Sequence, residues 1–334
     1  MAGVLNIPPA PISQPILRPN SAKKYNRILF VKSMAQSSDS SNSSSTSVST
    51  KLESSFSAPE NFKAPKPKPF TPRSDRIFDI LSASLALIFR LGTGALVSGY
   101  SASFVSKKEV PSDQYALGIA GFKVKESSKL GPRPEKPIEI YEYESCPFCR
   151  KVREIVAILD LDVLYYPCPR NGPNFRPKVQ QIGGKQQFPY MVDPNTGAAM
   201  YESDAIIKYL VGKYGDGNVP LMLSLGLFTT LTEGFAMIGR LGKGSSYRPS
   251  KLPPKPLEIW AYEPSPFCKV VREVLVELEL PHILHSCARG SPKRQALYEK
   301  VGHFQVPYLE DPNTGVQMFE SADIVDYIQA TYAR

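Results

Sequence analysis

The 334-residue chain has few of the residues that cross-link secreted domains or hold metals. It contains five cysteines, three histidines and one tryptophan. An odd, small number of cysteines is not typical of a disulfide-stapled secreted domain, so we predict functional thiols in a reducing compartment. Zinc needs about four ligands at suitable spacing. Only one Cys-x-x-Cys box is present and His282, His285 and His303 all lie in one late segment, so no metal site is predicted.

The first 32 residues contain no aspartate or glutamate, and they lack the compact apolar core of a secretory signal. A Ser-rich tract follows at residues 37–57. Basic, Ser-rich and acid-poor composition is typical of organelle transit peptides. We therefore predict a transit peptide and a Ser-rich disordered segment over residues 1–57, with a chloroplast (plastid) destination favoured by the Met-Ala start. A disordered tail without an address is the alternative.

Positive charge is concentrated at the N-terminal end. Residues 1–74 hold 10 Lys/Arg and 3 Asp/Glu, whereas residues 75–334 hold 30 and 28. Because the remainder is nearly neutral, the basic composition does not indicate a nucleic-acid partner. Residues 58–75 contain Pro65, Pro67, Pro69 and Pro72 among lysines, which is typical of an extended linker.

The chain contains an internal repeat, which decides the architecture. Residues 137–149 read PIEIYEYESCPFC and residues 256–268 read PLEIWAYEPSPFC. Ser265 therefore stands where Cys146 stands, while Cys268 matches Cys149. The correspondence continues through X-Pro-Tyr, Asp-Pro-Asn-Thr-Gly and Glu-Ser in both copies.

The apolar pattern of each copy predicts the order βαβαββα in about 80 residues. In the first copy we expect strands at 137–143, 161–166, 190–193 and 198–201, and helices beginning at Pro147, near residue 174 and at Ser203. Proline is favoured at the first position of a helix. The second copy repeats this order from Pro256 to Tyr332. The predicted fold class is α/β, with two tandem units at 137–215 and 256–334.

Each unit is preceded by an apolar segment, residues 78–94 and 228–244. Apolar residues recur at i, i+3, i+7, i+10 and i+13, which is helical spacing. The predicted linker plus helix covers 58–136, with the helix at about 76–94, and a second helix and linker cover 216–255. Three alternatives stay open: packing on its own unit or on the twin, peripheral membrane contact, and a membrane span, for which residues 219–241 are the better candidate.

These motifs resemble the thioredoxin-like N-terminal domain of glutathione S-transferases and the glutaredoxins. The strand–CPFC–helix, the X-Pro before the third strand and the Glu-Ser before the last helix carry the resemblance. The CPFC box followed by Lys-Val-Arg is similar to the omega and dehydroascorbate-reductase classes, and the tandem behind a transit peptide resembles thioredoxin-like proteins of plant plastids. Such transferases continue into a large helical domain, which has no counterpart here.

The resemblance implies a glutathione site in each unit. In the first, Cys146 would be the nucleophile and Cys149 the resolving thiol, with Pro189 in the cis form. The Phe188 backbone would pair with the cysteinyl part of glutathione, and Glu202 and Ser203 would hold its γ-glutamyl group. A helix cap is the alternative for Glu-Ser. The corresponding second site consists of the following residues: Ser265, Cys268, Val306, Pro307, Glu320 and Ser321.

Two hypotheses for function follow. The first is a glutathione-dependent thiol-disulfide oxidoreductase or glutathione transferase-like protein that acts through Cys146, with glutathione or a small thiol or disulfide as the ligand. In this hypothesis the two units pair with each other. The second is a non-catalytic glutathione-binding or protein-interaction module of the plastid, with membrane association through the apolar helices. Cys168 and Cys287 are expected to be buried small residues, and Arg170 and Arg289 are weak candidates for a glycyl carboxylate.

Overall fold

A computed structural model of the chain describes residues 56–69 and 71–334. The predicted transit peptide and Ser-rich segment lie almost wholly outside these residues. Between residue 71 and the first repeat the chain forms two 3-10 turns, two short helices and three short strands. In chain order they are the turn Ser74–Arg76, α1 Ile77–Ala83, α2 Leu85–Arg90, β1 Ser101–Ser106, the turn Lys107–Glu109, β2 Leu117–Ile119 and β3 Phe122–Ser127.

The first unit has the predicted order βαβαββα. Its elements are β4 Ile138–Glu142, α3 Pro147–Ile158, β5 Asp162–Pro167, α4 Phe175–Gly183, β6 Tyr190–Asp193, β7 Ala198–Met200 and α5 Ser203–Tyr214. Strand β4 runs parallel to β5 and antiparallel to β6. Because α3 and α5 pack their apolar faces on this sheet, they bury residues such as Ile155 and Ile206 completely.

The second unit repeats this order after two helices of its own. The elements are α6 Leu221–Ser224, α7 Leu227–Ile238, β8 Leu257–Ala261, α8 Pro266–Glu277, β9 His282–Ser286, α9 Lys293–Val301, β10 Tyr308–Glu310, β11 Gln317–Met318 and α10 Ser321–Tyr332. The predicted α/β fold class, with two tandem units each preceded by apolar helix, is confirmed.

The two units share one eight-stranded sheet with the order β11-β10-β8-β9-β5-β4-β6-β7. The junction is the antiparallel pair of β5 and β9, in which Leu164 lies opposite Ile283. These residues correspond to each other in the repeat, so the junction is a pseudo-two-fold axis. Each unit covers an exposed edge strand of the other, which removes two sites of uncontrolled strand pairing.

The apolar helices differ from the prediction in their length and in the parts of the protein on which they pack. The segment expected as one helix is broken at Ser84, whose hydroxyl donates to the carbonyl of Ile80 at 2.8 Å, a local bond that competes with helix continuation. Helices α2 and α7 pack side by side, and α1 packs on α8 while α7 packs on α3. Each segment therefore packs on its twin, through α2 and α7, and also on the opposite unit, which was not among the alternatives.

The side of these helices that packs inward is not the apolar stripe. Small residues such as Ala83 and Ala236 are fully buried there, together with Glu233. The residues of the apolar stripe, among them Phe78 and Phe228, are exposed except for Leu85, which is half-buried. Among the described residues no helix is long and apolar enough to cross a membrane.

Between the units lies a cluster of side chains that are all charged and at most 4% exposed. This buried charge cluster contains six acids and six bases: Glu142, Glu144, Glu154, Glu233, Glu263, Glu273, Arg90, Arg150, Arg153, Arg240, Lys269 and Arg272. Its contacts obey the pseudo-two-fold axis. Glu144 of the first unit contacts Lys269 at 2.7 Å, and Glu263 of the second contacts Arg150 at 2.9 Å. Buried charges are tolerated only when they are paired in this way.

The segment expected to be only linker and helix, 58–136, contains an additional small sheet with the order β1-β3-β2. Its strands are short and mostly exposed, which explains why their pattern gave no clear strand signal. This sheet lies against the second unit, where Arg289 contacts Glu126 at 2.7 Å.

Candidate active site

The Cys-Pro-Phe-Cys box lies where β4 ends and α3 begins. Cys146 is the N-cap residue of α3, and its Sγ accepts a hydrogen bond from the Cys149 backbone N–H at 3.2 Å. Pro147 starts the helix, where its missing N–H costs nothing. The helix N-terminus stabilises an anion, so the arrangement favours a thiolate on Cys146.

The two thiols of the box differ in acidity. A hydrogen bond from the Cys149 side chain, assisted by the Cys149 backbone N–H, holds the pKa of Cys146 below its ordinary value. Burial raises the pKa of Cys149 well above its ordinary value. Arg153 of the buried charge cluster also lowers the pKa of Cys146, whereas Glu142 raises it. Cys146 is thus the thiol of the pair with the lower pKa, and it is 3% exposed.

The peptide bonds Phe188–Pro189 and Val306–Pro307 are both cis. Since Tyr190 lies opposite Tyr141 in the antiparallel pair of β6 and β4, Pro189 lies beside the end of β4 that leads to Cys146. The rings of Tyr143 and Phe188 are 6.1 Å apart. The structure therefore brings the predicted X-Pro element to the Cys box.

Glu202 and Glu320 directly precede the last helix of each unit, and both have an unusual backbone. Their φ angles are 67° and 72°, in a region that costs a residue with a side chain of order 1–3 kcal/mol. Neither makes a side-chain capping bond, so the helix-cap alternative does not explain them. Strain retained in both copies is typical of a functional position.

Gln187 and Gln305 are site residues that sequence reasoning missed. The side-chain amide of Gln187 donates to Glu202, and that of Gln305 donates to Glu320 at 2.8 Å. Both glutamines stand two residues before the cis-proline. Their identity in the two copies was the signal that could have identified them.

Two arginines other than Arg170 and Arg289 lie beside the candidate sites. The guanidinium of Arg176 lies 4.8 Å from the Phe188 ring centroid and 5.5 Å from that of Tyr143. Arg170 is exposed and Arg289 is paired with Glu126. Arg176 therefore lies over two aromatic rings beside the Cys box of the first unit, and its counterpart Arg294 lies over the Tyr262 and Phe304 rings of the second.

The second unit has the same framework without the nucleophile. The hydroxyl of Ser265 accepts from the Cys268 backbone N–H at 3.3 Å, as Cys146 does from Cys149. Cys268 is fully buried, and burial raises its pKa. Ser321 occupies the start of α10 as Ser203 does in α5, and both are buried.

Parts of the chain outside the repeat cover the second site on three sides. The Lys68 backbone N–H donates to Glu320 at 2.6 Å. Ile80 of α1 packs on Phe267, whereas Phe148, the equivalent of Phe267, is 47% exposed. Beyond these contacts, the Tyr115 ring lies 4.6 Å from Phe304.

Comparison with known proteins agrees with this framework. A family model described as "Glutathione S-transferase, N-terminal domain" matches residues 140–218 and 260–334. The match occurs once in each unit. Both units are therefore similar to this domain, in agreement with their thioredoxin-like fold.

A solved glutathione transferase of Bombyx mori is 32% identical over 25% of this chain. The match spans 38% of that protein's own length and has a TM-score of 0.23, so it supports no argument about shape or activity. No curated protein matches the chain significantly. Within the described ranges, no three His, Cys, Asp or Glu side chains are grouped so that they could hold a metal ion.

Proposed function

We propose that the first unit is a glutathione-dependent thiol-disulfide oxidoreductase or transferase that acts through Cys146. The observation that carries the proposal is the asymmetric thiol pair at the start of α3. Cys146 has a lowered pKa and Cys149 a raised one. A low-pKa thiol beside a resolving thiol is the arrangement that thiol–disulfide exchange requires.

The reaction starts with glutathione bound as the mixed disulfide of a small thiol. The Cys146 thiolate attacks the glutathione sulfur, the substrate S–S bond breaks, and the substrate thiolate leaves and takes a proton. The Cys146–glutathione disulfide is then cleaved by a second glutathione thiolate, which releases oxidised glutathione. Alternatively, Cys149 loses its proton and attacks the Cys146 sulfur, which releases reduced glutathione and leaves an internal disulfide.

The groups around Cys146 suit the parts of glutathione. Glu202, oriented by Gln187, would contact the ammonium of the γ-glutamyl group. The backbone N–H groups at the start of α5, beside Ser203, would donate hydrogen bonds to its carboxylate. The Phe188 backbone, before the cis bond to Pro189, would pair with the cysteinyl part. Arg176 is the cation available for the glycyl carboxylate.

In this proposal the second unit is a non-catalytic partner. Ser265 cannot attack a disulfide, and segments of the chain cover its groove. The exposed apolar helices favour a second role, contact with a membrane surface.

We further propose a plastid location because of the composition of residues 1–57. A fluorescent fusion of the full chain tests that location, and a cytosolic signal would contradict it.

The activity test uses a mixed disulfide of glutathione and β-mercaptoethanol with purified full chain. Cys146→Ser is expected to abolish turnover, and Cys149→Ser to leave the monothiol route. The matched control is Cys268→Ser, which changes the equivalent of Cys149 in the second unit and should leave turnover unchanged. Equal turnover of wild type and Cys146→Ser would contradict the proposal and favour the non-catalytic alternative.

A further inference from the structure

The outer side of the apolar helices is a surface that the proposed redox function does not use. We call the exposed apolar side chains of residues 77–91 and 221–241 the apolar face. Corresponding residues of the two repeats are exposed alike: Phe78 and Phe228, and Leu91 and Leu241. Since α2 and α7 pack side by side, with the Phe89 and Phe235 rings 5.7 Å apart, the two stripes form one surface.

No charged side chain interrupts the apolar face. Of the four charged residues in these segments, Arg90, Glu233 and Arg240 are buried, and Asp79 is half-buried and paired with Arg240 and Lys243. The three buried residues belong to the buried charge cluster: Arg90 contacts Glu154 at 2.7 Å and Glu233 at 3.0 Å. The same ion pairs hold the helices on the folded units, so the apolar face is a fixed part of the molecule.

The apolar side chains project outward individually. Leu241 is 93% exposed, Phe78 87%, Leu227 83% and Leu91 79%. Leu91 and Leu241 both have φ of 48°, a left-handed conformation that disfavours leucine by about 1–2 kcal/mol. A large contiguous apolar patch on the surface of a soluble protein marks a binding site.

The chemistry of the face distinguishes between the occupants it could have. A protein interface has a polar rim and buries a flat patch. Projecting leucines and phenylalanines without any charge between them suit a soft, wholly apolar medium. The helices are too short to cross a bilayer, since the 12 residues of α7 extend only about 18 Å. Helices of this kind lie in the plane of the interface, with the apolar side immersed about 5–10 Å.

We infer that the apolar face docks the protein on a lipid membrane surface, with α1, α2 and α7 lying in the headgroup–acyl boundary. The buried charge cluster then lies directly above the membrane, on the protein side of the helices. Both units are held at the same surface because each apolar segment packs on the opposite unit.

Vesicle flotation of the full chain tests this inference. Wild-type protein should float with neutral phosphatidylcholine vesicles, because the apolar face needs no lipid charge. The triple variant Phe78→Ser, Leu227→Ser and Leu241→Ser should lose about a thousandfold in partition coefficient, since inserting each side chain is worth about a factor of ten. The matched control is Phe104→Ser, Ile119→Ser and Phe122→Ser, which removes exposed apolar side chains of the small sheet and should float like wild type.

A second variant reports the depth of insertion. In a Trp260→Phe background, which removes the only native tryptophan, the tryptophan introduced by Leu227→Trp should show a blue-shifted emission with vesicles and be quenched by brominated lipid.

Three results would overturn the inference. They are no flotation of wild type, flotation that needs anionic phosphatidylglycerol and survives in the triple variant, and a soluble dimer that the triple variant dissociates.

Discussion

Leu164 and Ile283 occupy the same position in the two repeats and face each other at the centre of the eight-stranded sheet. Because a residue lies opposite its own counterpart, the remaining contacts are duplicated around this point. Glu144 and Glu263 each contact bases of the other unit. The two thioredoxin-like units are therefore joined as a dimer would be, within one chain.

His282 at this junction is expected to make the fold sensitive to acid. Burial lowers its folded pKa to about 4, whereas an unfolded histidine titrates near 6.5. Below pH 6.5 the unfolded chain therefore takes up a proton that the folded chain refuses. Stability present above pH 6.5 is lost as pH falls toward 4, by about 3 kcal/mol in all.

The substitution His282→Val tests this expectation, because Val163 is buried at the equivalent position of the first unit. Urea unfolding at a series of pH values should show a smaller acid-side loss in the variant. At pH 7 the variant should lose about 1 kcal/mol, since the bond to the Leu280 carbonyl is removed. Parallel stability curves for variant and wild type between pH 6.5 and 4 would contradict the assignment.

Arg90 should be essential for holding α2 on the fold. Arg90→Met removes one of the two arginines that Glu154 and Glu233 share and leaves only Arg150, and breaking a buried ion pair costs about 3–5 kcal/mol. Adding Glu233→Ala should recover part of this loss, because Ala83 fills the equivalent buried position. The control is Arg248→Met, which removes a largely exposed contact to Glu277 and should cost less than about 1 kcal/mol. Equal unfolding free energies for both arginine variants would refute the argument.

The thiol pair makes a prediction about reactivity with pH. Iodoacetamide should modify Cys146 with a midpoint below that of an ordinary thiol and should leave Cys149 unmodified, because their pKa values are shifted in opposite directions. Glu142→Gln should lower the Cys146 midpoint further, since the Glu142 charge raises that pKa. The difference in labelling rate between this variant and wild type should be largest above pH 7, where Glu142 is charged, because burial raises the pKa of Glu142 to about 7. Peptide mass spectrometry distinguishes the two thiols, and faster labelling of Cys149 would contradict the assignment.

Sequence reasoning predicted each unit well because its signals are local. The proline that starts α3 and the alternation in β4 depend on neighbouring residues, and the elements lie within one or two residues of their predicted ends. The junction of β5 and β9 was not predictable, since strand pairing across about 120 residues leaves no local pattern. The exposure of the apolar stripe at Phe78 was also not predictable, because helical spacing identifies an apolar side of a helix but does not show whether protein or another medium covers it.

We expect the second site to be inactive for two reasons, the missing sulfur and the covering segments. Ser265→Cys restores the Cys-x-x-Cys box beside Cys268. We expect oxidised glutathione to modify Cys146 in this variant but to leave the introduced thiol unmodified, because Glu320 is already engaged by the Lys68 N–H. Intact-mass and peptide mass spectrometry measure both positions.

Removing the cover should then expose the second site. Lys68→Pro deletes the backbone N–H that donates a hydrogen bond to Glu320. The neighbouring prolines at 67 and 69 show that the segment is already extended. Combined with Ser265→Cys, Lys68→Pro should allow glutathione to modify the introduced thiol, with Lys66→Pro as the control that leaves the Lys68 bond in place. Modification of the Ser265→Cys variant alone, at the rate of Cys146, would show that the covering segments do not protect the site and that only the sulfur was missing.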